Sequence, residues 1–320
     1  MAAPDATRAP LPEGGRSRAR RLAGLVAGLL ILGFLAWGVA DGYERVSAYD
    51  WTLDPLSLAA GAIIVVGHYV AAGVGYVFIL ERLSARRLPR LEFLSVWGRA
   101  LLGRYVPGNV LMVAGRVVLG REVGVPGRVS VAASVYEQAL WLGAAAVGSL
   151  VFLAAYPGDS GQASWLWLVG VIPVGLALLH PRVFRPLSRW GLTRLRREPL
   201  SVFLSTRQVA ALFAWYMLAS ALLALGVWLL VRSAAGAEAG GPAFVGLAFL
   251  LSFAVGMLAF VFPSGLGVRE GAFALALAEN LPTSVAIAVA AGVRLAVTAL
   301  EVAFVGGVAL LARRRRGSSP

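Results

Sequence analysis

Apolar residues run along this chain in unbroken blocks of membrane-spanning length, at 22–40, 56–80, 129–156, 164–179, 209–231 and 284–312. A helix that crosses a bilayer needs about 20 such residues, so the pattern predicts about six spanning helices. Two further apolar segments, 91–119 and 243–281, are interrupted, the first at Pro107 and Gly108, the second at Pro263, Gly265 and Gly267. Proline has no N–H to give a helix and glycine loosens the backbone. Each segment is therefore predicted to break, and the freed backbone groups must find partners other than lipid.

The polar gaps alternate in charge. The N-terminal tail and residues 81–90, 121–128, 181–207 and 313–316 are rich in arginine, whereas 41–54, 157–163 and 233–242 carry only Arg45 among several acids. Basic loops stay on the cytoplasmic side, so both termini are expected there. Segment 91–119 then starts and ends inside, and its 29 residues are few for two crossings. A re-entrant hairpin from the cytoplasm fits it. Segment 243–281 starts and ends outside, as a hairpin or as two tight crossings. The order helix, helix, inner hairpin, helix, followed by helix, helix, outer hairpin, helix, describes an inverted-topology repeat, which places a substrate site near the bilayer midplane. A plain eight-span bundle with two kinked helices is the simpler alternative.

Composition agrees: 59% of residues are hydrophobic, 14% are charged, and mean hydropathy is +0.78. The fold class is an all-α polytopic membrane protein. A net charge of +13 raises the question of nucleic acid. The arginines lie between apolar runs rather than along one soluble face, so nucleic acid is not expected as a partner. With no cysteine and only His68 and His180, disulfides, thiolate metal sites and cysteine nucleophiles are excluded, and neither metal nor cofactor is expected. Run 22–40 is longer than the apolar core of a signal peptide and precedes a multispan chain, so it reads as a retained first helix. The organisation is a basic tail at 1–20, one transmembrane domain at 21–313 and a basic tail at 314–320.

The chemistry sits in the charges that interrupt these runs. Arg99, Arg104 and Arg116 flank the first break, and a helix N-terminus near Asn109 adds partial positive charge, a combination suited to phosphate. Past the second break stand Arg269 and Glu270. Neighbours on a helix point about 100° apart, so each needs a partner of its own. The last helix offers Arg294 and Glu301 on nearly one face, with Thr298 between them, and Glu137 is the remaining deep acid. Charges at membrane depth cost a few kcal/mol each unless paired or hydrated, so Glu270 is expected to meet Arg294, and Glu137 to meet Arg116 or Arg269. His68 reads as a packed residue. Gly73, Gly75 and run 143–148 read as close-packing positions, and Trp37, Trp51, Trp165, Trp167 and Trp190 as interfacial anchors.

The motif GRYVPGN, with Arg116 eight residues after Gly108, paired with the later PSGLGVREG, resembles the membrane domain of lysylphosphatidylglycerol synthases, the flippase-like family. The resemblance implies handling of anionic or aminoacylated lipids, or of polyprenyl-linked sugars, in the bacterial inner membrane. It carries over onto Gly103, Arg104, Pro107, Gly108, Arg116, Pro263, Gly265, Gly267, Glu270 and Gly271. The full synthases continue into a soluble aminoacyl-transferase domain that does not follow here, so the expected activity is lipid translocation, with Arg104, Arg116, Arg269, Glu270, Arg294, Glu137 and Glu301 lining the path. Membrane lipids are the expected partners, and a homodimer is compatible with the sequence. The alternatives are a membrane glycosyltransferase using the outer acids Asp41, Glu44, Asp50 and Asp54, and an accessory subunit. The phosphate-loop motif G-x-x-x-x-G-K does not occur, so no nucleotide drive is expected.

Overall fold

The computed structural model describes residues 43–105, 110–156, 181–194, 202–258, 265 and 267–317. The predicted helices over 22–40 and 164–179, and the predicted breaks at Pro107, Gly108 and Pro263, lie outside the described residues. What is described is helical: α1 (Tyr43–Ser47), α2 (Pro55–Ser84), α3 (Arg90–Leu101), α4 (Val110–Glu122), α5 (Gly127–Ala155), α6 (Pro181–Arg194), α7 (Thr206–Ala235), α8 (Pro242–Leu258), α9 (Val268–Leu277) and α10 (Thr283–Gly317). Four of these, α2, α5, α7 and α10, are long and apolar enough to cross a membrane. At 1.5 Å per residue each reaches about 45 Å, beyond the roughly 30 Å of hydrocarbon. The protein is an all-helical, multi-spanning membrane protein.

Local chemistry sets the helix ends. Asp54 caps α2, accepting hydrogen bonds from Leu56 N (3.0 Å) and Ser57 Oγ (2.5 Å), with Pro55 opening the helix where no N–H is required. The Ser57 hydroxyl, which stabilises the ionised form, holds the Asp54 carboxyl below its usual range. Ser205 and Gln208 cap α7 reciprocally. The segment 181–207, read from the sequence only as a basic link, contains the amphipathic helix α6, with Arg182, Arg189, Trp190 and Arg194 all exposed. Trp190 is 63% exposed, as an interfacial anchor would be.

The core of the bundle is the antiparallel pair α2 and α7. Asp54 N bonds Ser233 O, His68 Nδ1 lies 2.8 Å from Ala219 O, and Trp215 Nε1 donates to Ala71 O at 2.8 Å. The pairs thus run in opposite directions along the two helices. Between hydrocarbon-bathed helices there is little hydrophobic drive, so close backbone approach must supply contact. Gly61 and Gly226 permit it here: a Cβ on Gly61 would stand 3.0 Å from Gly226 O, and one on Gly226 would stand 2.7 Å from Val65 Cγ2. Gly73 and Gly75 face aromatic side chains of α3 and α7, and Gly143 and Gly148 face Phe213 and Leu250, as packing positions do.

The other long helices follow from contacts with this pair. Ring contacts of His68 with Trp141 (5.1 Å), and the reach of the Tyr76 hydroxyl to Ser130 O (3.5 Å), set α5 antiparallel to α2. Tyr69 stacks on Phe304 at 5.6 Å, and the first turn of α2 shares a crevice with residues 288–296, so α10 runs parallel to α2. Arginines at the ends of α2 and α10 therefore lie at one end of the bundle. α10 itself continues to Gly317 through Arg313–Arg316, where cations suit a helix C-terminus.

Two pairs of short helices complete the molecule. α3 and α4, with 12 and 13 residues, are each about 20 Å long, and α8 and α9, with 17 and 10, about 25 and 15 Å. α3 leaves the arginine-bearing end of α2, and α4 returns to it, where Arg86 Nη2 donates to Gly124 O at 2.6 Å. α8 starts at the opposite end, with Phe244 against Phe152 and Tyr156, and α9 finishes there, with Asn280 Nδ2 donating to Ala239 O at 3.5 Å. The pairs start from opposite ends, and Arg104 after α3 and Gly265 before α9 border one cavity.

Substituting Gly226→Leu is expected to cost about 1–3 kcal/mol by forcing the α2–α7 contact apart. Gly292→Ala, at a position of α10 with no atom within 4 Å of a new Cβ, is expected to leave stability unchanged or slightly raised. Denaturant unfolding in mixed micelles checks both.

Candidate functional site

The turns of the two short pairs are built differently. α3 stops at Leu101 and tightens into a 3-10 turn, Leu102–Tyr105, just ahead of the predicted break at Pro107 and Gly108. On the other side Gly265 and Gly267 hold φ of 65° and 81°, left-handed values that a side chain would oppose. A Cβ on Gly265 would lie 2.7 Å from Gly256 O, so Gly265 rests backbone against backbone on α8. Gly267 N, at the start of α9, donates to Glu270 Oε2 at 2.6 Å. That bond ties Glu270 to the helix N-terminus.

Three ion pairs, each with its glutamate buried, connect the short helices to the long ones. Arg116 of α4 pairs with Glu137 of α5; each side chain is 1% exposed. Glu137 also accepts from Trp97 Nε1 at 2.7 Å, while Arg116 donates to Ser134 Oγ at 3.1 Å and lies 4.4 Å from the centre of the Tyr76 ring. Glu270 of α9 pairs with Arg294 of α10 at 3.3 Å. Arg104, in the 3-10 turn, pairs with Glu301 of α10, whose Oε2 also accepts from Tyr105 (3.0 Å) and Tyr69 (3.3 Å).

Arg269 is different. It is 7% exposed, its guanidinium stands 4.5 Å from the Phe249 ring centre and 4.9 Å from that of Phe253, and among the described residues it forms no ion pair. Aromatic faces stabilise a guanidinium by about 0.5–2 kcal/mol each, less than a counter-charge supplies at depth. Four arginines, at 104, 116, 269 and 294, stand against three glutamates, at 137, 270 and 301, so the cluster carries one positive charge in excess.

Arg104, Arg116, Glu137 and Arg269 line a cavity of about 100 Å³ between the two turns, together with His68, Trp97 and Gly265. A water needs about 10–15 Å³ measured this way, so the space takes several waters or one phosphate-sized group. Glu270 and Arg294 lie behind it, around a second opening of about 10 Å³ that Arg269 also borders. Glu301 is not in the lining of the main cavity but is bonded to Arg104 and Tyr69, which are.

Sequence reasoning paired Glu270 with Arg294 and offered Arg116 for Glu137, and these residues meet. It missed the Arg104–Glu301 contact and the hydrogen-bond donors Trp97, Tyr69 and Tyr105. Tyr105 adjoins Arg104 in the broken segment, a usable signal; Trp97 and Tyr69 are unmarked residues in apolar runs. Arg99 is not brought in: it is exposed and donates to Ser95 O of its own helix. Of the outer acids, Asp41 lies outside the described residues, Glu44 and Asp50 are exposed, and Asp54 is the cap of α2. Neither models of protein families nor curated proteins match the chain.

Glu137→Gln leaves Arg116 buried without its counter-charge and is expected to lower stability by about 3–5 kcal/mol. Replacing both, as Arg116→Met with Glu137→Leu, is expected to recover most of that loss. Unfolding midpoints of the three proteins provide the check; equal losses in the single and double variants would contradict the coupling.

Proposed function

We propose that the protein is a translocase for phosphate-bearing lipids, whether anionic or modified phospholipids or polyprenyl-phosphate-linked lipids, in the bacterial cytoplasmic membrane. The observation that carries this reading is Arg269, a buried cation without a described counter-charge, opening on a cavity where arginines outnumber glutamates. A cation at membrane depth is costly, and a site built around one suits an anion that comes and goes. The headgroup enters the cavity while its tails stay in lipid.

The short helical pairs act in this reading as re-entrant hairpins, one from each side, and their ion pairs support an inverted repeat. The second limb of each pair is bonded to the next long helix, Arg116 to Glu137 in one half and Glu270 to Arg294 in the other, with the signs exchanged. Rocking of one half against the other would open the cavity to each leaflet in turn. The motifs GRYVPGN and PSGLGVREG favour a stand-alone member of the flippase-like family. The glycosyltransferase alternative draws nothing from Asp54, which is committed to capping a helix.

Purified protein in liposomes, with a lipid labelled on its headgroup and a membrane-impermeant quencher outside, tests the reading. The wild type is expected to move label between leaflets without covalent change to the lipid, and Arg269→Ala to slow this about tenfold or more. Equal rates in wild type and a correctly folded Arg269→Ala protein would defeat the proposal, and a chemically altered lipid would point to an enzyme.

A further inference from the structure

The charges around the cavity bear on what kind of headgroup it admits. Glu137, the glutamate that lines the cavity among the described residues, has both carboxylate oxygens engaged, Oε1 by Trp97 and Oε2 by Arg116, whereas Glu270 and Glu301 stand outside the lining, paired with Arg294 and Arg104 and each with one oxygen that accepts no hydrogen bond. An ammonium group entering the cavity would meet an excess of positive charge, and to gain Glu137, the carboxylate in the cavity wall, it would have to displace Arg116 from a buried pair. Losing one partner of such a pair costs several kcal/mol. A headgroup with one net negative charge instead completes the set, because among the described residues the cluster lacks one counter-charge and Arg269 borders the space.

His68 adds a second constraint. Its Nδ1 lies 2.8 Å from Ala219 O, and a carbonyl oxygen only accepts, so Nδ1 carries the proton. In the uncharged ring this leaves Nε2 as an acceptor, on a residue that lines the cavity beside Gln138. The site therefore combines guanidinium donors for a phosphate with acceptors for hydroxyl hydrogens.

We infer that the cavity selects a phosphodiester headgroup of net negative charge bearing hydroxyl groups, and rejects headgroups bearing an ammonium group. The inference rests on the translocase reading and narrows its substrate class. It sets aside aminoacylated and ethanolamine-type lipids, since discrimination here comes from repulsion as much as from attraction.

The test is binding, measured apart from transport. The full chain in neutral detergent is titrated with short-chain phosphatidylglycerol, short-chain phosphatidylethanolamine and free glycerol phosphate, followed by calorimetry. The glycerol lipid is expected to bind at least about tenfold more tightly than the ethanolamine lipid, and Arg269→Gln to abolish that preference. The reversal Arg269→Glu is expected to favour the ethanolamine lipid; should it fail to fold, the wild-type and Arg269→Gln titrations still decide. Equal or tighter binding of the ethanolamine lipid, an undiminished preference in Arg269→Gln, or no binding of either lipid overturns the inference. Free glycerol phosphate binding as tightly as its lipid would contradict a lipid ligand. Selective binding without flipping in liposomes would uphold the selectivity and remove the translocase reading; flipping without selectivity would do the reverse.

Discussion

A charge inside a bilayer must be paired, hydrated or removed, and this constraint organises the molecule. Arginine cannot shed its proton in practice, so each buried guanidinium requires its surroundings to come to it. Glu137 and Glu301 are brought to Arg116 and Arg104 by long helices that also form the core, and Arg294 is brought to Glu270 in the same manner. The short helices are too short to fix their own position across the membrane. They are held by these pairs and by the aromatic residues around them.

α10 bears most of this work. It presents Arg294 to the α8–α9 pair and Glu301, seven positions later and so close to the same face, to the turn between α3 and α4. One rigid helix thus holds both sets of short helices through charges of opposite sign. A movement that loosens one set relative to α10 would shift the field at the other.

Much of the fold was legible because membrane helices announce themselves by length and broken ones by proline and glycine. The runs containing α2, α5, α7 and α10 were read from hydropathy alone, and the interrupted segments coincide with the two short pairs. The pairing of Glu270 with Arg294 followed from cost: an acid and a cation at similar depth, in adjacent elements, had few other partners. Arg104 and Glu301 were named as candidates but not joined, because they lie in different halves of the chain and periodicity reports a face, not the neighbour across it. Trp97 and Tyr69 looked like packing residues, since nothing in an apolar run distinguishes an indole that caps a carboxylate from one that fills space. The 3-10 turn from Leu102 to Tyr105, ahead of Pro107, is a local tightening without a sequence marker.

All of this turns on the space between the two turns being a polar, wet cavity rather than a sealed packing defect. The chain has no cysteine, so a single Met257→Cys substitution at the cavity wall provides one reporter in an otherwise unreactive protein. Charged, membrane-impermeant thiol reagents would be applied from each side of sealed vesicles. The expected result is modification from at least one side, slowed when anionic lipid is present. A thiol that stays unreactive from both sides, yet reacts fully once the protein is denatured, would contradict the account.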